Sequence, residues 1–299
     1  MSNEGKKMIK RLHLLHIPKC GGLSLDLLAK ILETYGINTF SAKNLKNFTD
    51  FEDYSFVSWH FGITFIDIPN TDTACILRDP LDRIVSNFLW LMRTSVLYKF
   101  GGIYLNQEIP MLDKLHYFLF EDKNFNGIKN LQTKFLCNKV DEFAMENLYL
   151  KNSKTPISLI SDEEFNMHFS VTNRSKTWFL EDNVMSLEIA KLNFDKCLIK
   201  GIVDNHDAYM EQIFSWVETN FEIDIRQEFK DALLEAGVGT TLTPYYNHSS
   251  IFDPFFTEIH TTKTLKALLA PEEIAQVYAD NSMDLELYNY AKEKLNYQV

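Results

Sequence analysis

The chain predicts an α/β fold of three layers, a central parallel sheet flanked by helices, with a helix-rich C-terminal half. Three observations lead there. Short apolar runs at 12–17, 54–59, 73–77 and 197–203 lack strict alternation, as strands covered on both faces do. The runs at 12–17 and 73–77 feed into helical patterns, the order that builds strand–helix–strand units. No Pro-, Ser- or Gly-rich linker, repeat or low-complexity block interrupts the 299 residues, so one domain is expected over 1–299.

The first unit opens with Leu12, Leu14, Leu15 and Ile17, a buried strand. Leu23, Leu27, Leu28, Ile31 and Leu32 follow at the spacing of a helix packed on a sheet. Between them lies His16-Ile17-Pro18-Lys19-Cys20-Gly21-Gly22-Leu23-Ser24. The two glycines let backbone approach a ligand, and a helix N-terminus offers unpaired N–H groups and a positive dipole end. Lys19 adds a full charge at the same place. The segment is a phosphate-type cradle.

The second unit runs from 73–77 into Arg78-Asp79-Pro80-Leu81-Asp82-Arg83. Pro80 suits the first helical turn and Asp79 the N-cap. Arg78 then emerges from the strand's C-terminal end beside the first loop. Ser86, two turns on, can point its hydroxyl at the same crevice, whereas Arg83 is expected at the surface. The run at 54–59 ends at His60, on the edge where open α/β sheets bind ligands.

Downstream, Trp90, Leu91, Met92, Leu97, Tyr98, Phe100 and Tyr104 are expected to pack helices. A helix at 185–192, the strand at 197–203 and a helix at 207–217 repeat the βαβ logic. Residues 237–250 form a polar loop of the length that closes over a nucleotide, with Asn247 and Ser249 as candidate contacts. Helices at 271–277 and 284–295 read as packing elements. The expected division is a ligand-binding core at about 10–95 and 185–250, with a helical elaboration at about 96–180.

Composition narrows the class. The net charge of −11 and pI near 5.2 disfavour nucleic acid and long polyanions, which need extended basic patches. Positive charge is instead local, at Lys19, Arg78 and Arg83. The apolar run after residue 11 is too short for a signal segment or membrane span. Cys20, Cys75, Cys137 and Cys197 are widely spaced and lack metal-ligand pairing, so reduced thiols in a cytoplasm are expected. His116, His168, His206, His248 and His260 show no metal spacing, and no metal is predicted.

A nucleotide-kinase loop needs Gly-x-x-x-x-Gly-Lys-Ser/Thr, with lysine after the glycines. Here Lys19 precedes Gly21 and Gly22, and no glycine lies upstream at that spacing. The order Pro18-Lys19-x-Gly21-Gly22-x-Ser24 instead resembles the 5′-phosphosulfate loop of sulfotransferases, in the branch of heparan sulfate 2-O-sulfotransferase and its bacterial relatives. Cys20 and Leu23 depart from that branch, which carries threonine at both places. Leu77-Arg78-Asp79-Pro80-x-Asp82-Arg83-x-x-Ser86 resembles the family's 3′-phosphate motif. Two motifs in the family's order, about sixty residues apart, are more specific than either alone. Asn130-x-Gln132-Thr133-Lys134-x-Leu136 resembles a third family segment, with Lys134 where arginine is usual, and Asn281-x-x-Asp284-x-x-x-Tyr288 a fourth.

The resemblance implies a P-loop-like three-layer fold binding 3′-phosphoadenosine 5′-phosphosulfate (PAPS). Its 5′ side would lie on Lys19, Cys20, Gly21, Gly22, Leu23 and Ser24, and its 3′-phosphate on Arg78 and Ser86. It implies transfer of the sulfuryl group to a hydroxyl of a small-molecule or glycan acceptor, without metal. His60 is the candidate base, since a neutral imidazole is available at cytoplasmic pH and the branch places its histidine between the two donor motifs. Lys19 would offset charge on the leaving phosphate. The acidic surface predicts an acceptor of little charge rather than a heparan-like one. Rival readings are a PAPS- or nucleotide-binding module without catalysis and a P-loop-like kinase using ATP.

Overall fold

The computed structural model describes residues 10–40, 54–59, 68–93, 102–122, 128–137, 185–235, 251–252 and 259–296. Five strands form one all-parallel sheet: β1 (Arg11–Leu15), β2 (Thr39–Phe40), β3 (Phe56–Trp59), β4 (Thr71–Leu77) and β5 (Ile199–Ile202). Their order is β2-β3-β1-β4-β5, with helices flanking the sheet. The α/β architecture is as the sequence predicts.

β1 is the central strand, and Leu12, Leu14 and Leu15 are sealed from solvent. That two-sided burial is why its apolar residues do not simply alternate with exposed polar ones. His13 shares the burial, and desolvation lowers its pKa to about 3. Register fixes what meets at the C-terminal edge. Leu15 pairs with Trp59 on one side and Cys75 on the other, and Leu77 pairs with Ile202. β4 therefore continues two residues past the last pair with β1, which brings Arg78 alongside the turn that leaves β1.

Three helices start at this edge: α1 (Gly22–Thr34) after β1, α2 (Pro80–Arg93) after β4, and, in the C-terminal half, one after β5 that follows a short 3₁₀ turn. Among the described residues the helices after α2 are, in chain order, α3 (Met111–His116), continued by a π turn at Tyr117–Glu121, then α4 (Leu131–Cys137) and α5 (Leu187–Lys196). The helix after β5 is α6 (His206–Phe221), followed by α7 (Arg226–Glu235). α8 (Thr262–Lys266), α9 (Pro271–Asp280) and α10 (Ser282–Lys294) complete the chain, after a two-residue antiparallel pair, β6 (Ile251–Phe252) with β7 (Ile259–His260).

Two apolar cores result. One fills the sheet faces beneath α1, α4, α5, α6 and α10. The other joins α2 to α3, α8 and α9 through Leu81, Phe88, Tyr104, Leu115, Leu265 and Val277. α2 is the shared wall: Leu81, Ile84, Val85, Phe88 and Met92 face the second core. Arg83, Ser86, Asn87 and Trp90 repeat at i, i+3, i+4 and i+7, one stripe of the same helix. Arg83, Ser86 and Asn87 are buried, so this is a polar stripe inside the protein.

β2, the π turn, α7 and α8 were not anticipated. β2 is two residues long, too short for any periodic signal, and α7 buries little beyond Phe229 and Leu233. Among the described residues, no helix is long and apolar enough to cross a membrane.

Candidate anion-binding site

The turn between β1 and α1 is built on two left-handed residues. Lys19 has φ 70° and Gly21 φ 92°. For lysine that conformation costs about 1 kcal/mol, so the surrounding fold must hold it. Cys20 is the anchor: its N–H donates to the Ile17 carbonyl at 3.1 Å and its side chain is buried. Burial pushes its thiol up to about 12, which removes thiolate chemistry at neutral pH. Its contribution is to shape the turn, since thiol and amide are both engaged.

Gly21 caps α1 without a side-chain hydrogen bond, and no acidic residue lies in the first turn. The leading N–H groups of α1, those of Gly22, Leu23 and Ser24, have no partners within the helix. Gly22 is required sterically. A Cβ there would stand 1.7 Å from Nε2 of His16, so any side chain at this position must displace the imidazole. Ser24 is 3% exposed, so any hydroxyl contact with a ligand is made at the floor of the site.

Arg78 joins this turn to β4. Its Nη1 donates to the Lys19 carbonyl at 3.1 Å, and the residue is nearly buried. The two sequence motifs thus touch, through an arginine and the carbonyl of a lysine 59 residues away. Asp79 does cap α2, accepting from the Asp82 N–H at 3.0 Å, and Tyr278 donates to its other oxygen at 2.9 Å.

Arg83 departs from expectation. It is fully buried rather than on the surface, with Nη2 donating to the Ile128 carbonyl at 2.6 Å and Nε 3.9 Å from Asp284. The helical stripe explains the difference: residue 83 stands one turn below Ser86 and two below Trp90, on the face toward the loop. Trp90 carries the Lys19 ammonium over its ring at 5.8 Å. Ser86, buried between Arg83 and Trp90, shares that face.

Sequence reasoning did not assign the deepest part of the arrangement. Gln132 on α4 is fully buried; its Oε1 accepts from the Arg78 N–H at 2.8 Å and lies 3.6 Å from the Cys20 sulfur. Its Nε2 donates to the Arg78 carbonyl at 2.8 Å. The Asp284 carboxylate accepts from the N–H groups of Gln132 (3.1 Å) and Thr133 (2.8 Å) and from the Thr133 hydroxyl (2.8 Å). The segments 130–134 and 281–288, noted separately in the sequence, are two halves of one lock. Its available signal was the polar run Gln132-Thr133-Lys134 between the apolar ends of α4. Tyr288, at its end, donates to Asp204.

Lys19, Arg78 and Arg83 all act on Cys20, and Lys134 lies within reach of Arg83 and Asp284. Burial pulls both Lys134 and Arg83 below their ordinary ranges, with Asp284 partly offsetting the effect. Lys19, Arg78 and Arg83 thus surround Cys20, and Arg83 and Lys134 face the Asp284 carboxylate, in a chain of net charge −11.

The structure does not bring all predicted residues together. His60, Asn247 and Ser249 lie outside the described residues, as do Leu97, Tyr98 and Phe100. β3, which precedes His60, ends at Trp59 opposite Leu15. His206 is buried in α6, with its pKa lowered to about 4 by desolvation, and His116 pairs with Glu273 at 3.1 Å. No group of His, Cys, Asp and Glu suited to a metal occurs among the described residues. The four cysteines are free, and Cys75 is held protonated by its hydrogen bond with Cys197 and by burial. In comparisons with known proteins, no family model and no curated protein matches the chain.

Proposed function

We propose that the protein is a PAPS-dependent sulfotransferase acting on a hydroxyl of a small-molecule or glycan acceptor. The observation that carries this reading is the gathering of Lys19, Arg78 and Arg83 around Cys20, in the turn that leads into α1. A ligand with phosphate groups at both ends of one nucleoside fits a site with two cationic poles. Lys19 and the α1 amides form one pole, and Arg78 with Ser86 the other, following the motif order in the sequence. The location of the activity in a cytoplasm belongs to the same proposal.

In the reaction, the acceptor oxygen bonds to sulfur as the bond from sulfur to the 5′-phosphate oxygen breaks. The electron pair leaves with 3′-phosphoadenosine 5′-phosphate, and the acceptor proton passes to His60. Lys19 and the N–H groups of Gly22 and Leu23 are suited to hold the departing phosphate, since preorganised donors need not reorient as charge develops. The buried Cys20 thiol takes no covalent part.

The test is calorimetric titration with 3′-phosphoadenosine 5′-phosphate beside AMP and ATP, in EDTA. The bisphosphate is expected to bind most tightly. Arg78→Ala should weaken it by about 30-fold or more, the least expected when one partner of a buried charge pair is removed. Ser86→Ala should act in the same direction. ATP binding equally well, or none of the three binding, would overturn the donor assignment. Once an acceptor is found, His60→Ala should abolish turnover and leave bisphosphate binding intact; unchanged turnover would remove His60 from the mechanism.

A further inference from the structure

We propose that Gln132 is a positioning residue of this site, setting the backbone of Arg78 against the loop at Lys19 and Cys20, and that Asp284 on the C-terminal helix fixes Gln132. The choice of ligand in the test rests on the sulfotransferase reading; the positioning link does not.

A buried primary amide has two donor and two acceptor positions to satisfy. Gln132 spends them where the two motif segments meet. Its oxygen takes the Arg78 N–H at 2.8 Å, with the Cys20 sulfur 3.6 Å away, and its nitrogen serves the Arg78 carbonyl at 2.8 Å. Both backbone groups of Arg78 are thus paired as a neighbouring strand would pair them. The side chain in effect extends the β4 ladder one residue past Leu77, the last residue of the strand. A rigid Arg78 backbone is what aims its guanidinium at the Lys19 carbonyl.

The amide is itself held. Gln132 and Thr133 lie in the first turn of α4, where N–H groups lack helical partners, and the Asp284 carboxylate receives both. The return contact, Asp284 N–H to the Asn130 side-chain oxygen at 3.1 Å, closes the link, and Asn281 accepts from the Asn130 N–H at 3.0 Å. A continuous set of hydrogen bonds therefore runs from α10 through α4 to Arg78 and the loop. A core-filling side chain would need no amide at residue 132, since leaving one buried without partners is costly and methionine fills the same volume.

The experiment compares Gln132→Met and Gln132→Glu with the unaltered protein by hydrogen exchange and by titration with 3′-phosphoadenosine 5′-phosphate and AMP. In Gln132→Met, exchange at the Arg78 amide and across residues 17–25 should quicken about 10-fold or more, with the β5 amides unchanged. Its preference for the bisphosphate over AMP should fall by about 10-fold, as expected when one buried hydrogen-bonding group is lost. Gln132→Glu should be impaired while ionised and recover toward the parent on acidification, because a protonated carboxyl again donates and accepts. Unchanged loop exchange, or quickening spread evenly through β5, overturns the positioning role and leaves only a structural one. A parent protein with no preference for the bisphosphate overturns the sulfotransferase reading, while the localised exchange still decides the role of Gln132. If Gln132→Met does not fold, the acid recovery of Gln132→Glu decides in its place.

Discussion

Two helices begin side by side on the same sheet edge and are finished in opposite ways. α2 is sealed: Asp79 caps it, Pro80 removes one N–H, Asp82 lies in its first turn, and Tyr278 and Lys266 hold the two carboxylates. α1 has none of these. Its cap is a glycine at φ 92°, its first turn carries no acid, and Lys19, Arg78 and Arg83 act on the Cys20 turn before it. α6, the third helix of the edge, resembles α2, since Asn205 accepts from the Ala208 N–H at 3.4 Å and Asp207 lies in its first turn. Identical topology thus gives three helix termini, of which α1 alone carries no acidic residue in its first turn. On the sulfotransferase reading proposed above, that terminus is where the 5′-phosphate of the donor would lie.

The strongest way to break this contrast is Arg78→Ala, whose effect on bisphosphate binding exceeds any expected effect on stability. Next is Gly22→Ala. With a Cβ 1.7 Å from His16 Nε2 and 2.0 Å from Cε1, the imidazole must leave its place. We expect a loss of about 1–3 kcal/mol in denaturant unfolding, the usual range for overpacking. The double change His16→Ala/Gly22→Ala should recover most of that loss. An unaltered unfolding midpoint for Gly22→Ala alone would mean that the glycine is not there for His16.

How much of this was legible in the sequence follows from the range of each signal. The sheet and the two motif loops were readable because local periodicity and turn chemistry encode them. The cap at Asp79 was readable for the same reason: Asp-Pro carries its own geometry. Burial of Arg83 was not, because a charged residue on an amphipathic helix is placed by its distant partners, here Asp284 and the Ile128 carbonyl. Gln132 was singled out only as part of a resembling segment. Its function depends on Asp284, 152 residues away, and no local pattern encodes a hydrogen bond of that separation. Lys19 lay between these cases. Its charge was evident, but its support on Trp90 needed the helix phase of α2.

The third helix supplies a pH test of intermediate size. His206 opens α6 buried, with its pKa lowered to about 4, and His13 in β1 is lowered to about 3. Both are depressed below the value near 6.5 expected in the unfolded chain. Below pH 6.5 the unfolded chain binds more protons, so stability is full above that pH and is lost as pH falls toward the folded values. Each histidine should contribute a slope of up to about 1.4 kcal/mol per pH unit between roughly pH 6 and 4. Unfolding free energies of His206→Gln across that range should show a shallower slope than the parent. Parallel slopes would place the acid sensitivity elsewhere.

The smallest effect sharpens the contrast from the sealed side. Asp79 accepts the Asp82 N–H through one oxygen and the Tyr278 hydroxyl through the other, yet its carboxyl is held above the ordinary range, chiefly by burial. The cap, not the charge, is therefore what α2 needs. Asp79→Asn keeps an acceptor for the Asp82 N–H and removes a charge that burial disfavours, so its midpoint should match the parent. Asp79→Ala removes the acceptor and should cost about 1 kcal/mol, the common penalty for losing a helix cap. Neither change touches α1, so neither should alter the preference for the bisphosphate over AMP. A fall in that preference for Asp79→Asn would mean that the two termini are not independent, and that the charge on α2 helps to set the field felt at Lys19 and Arg78.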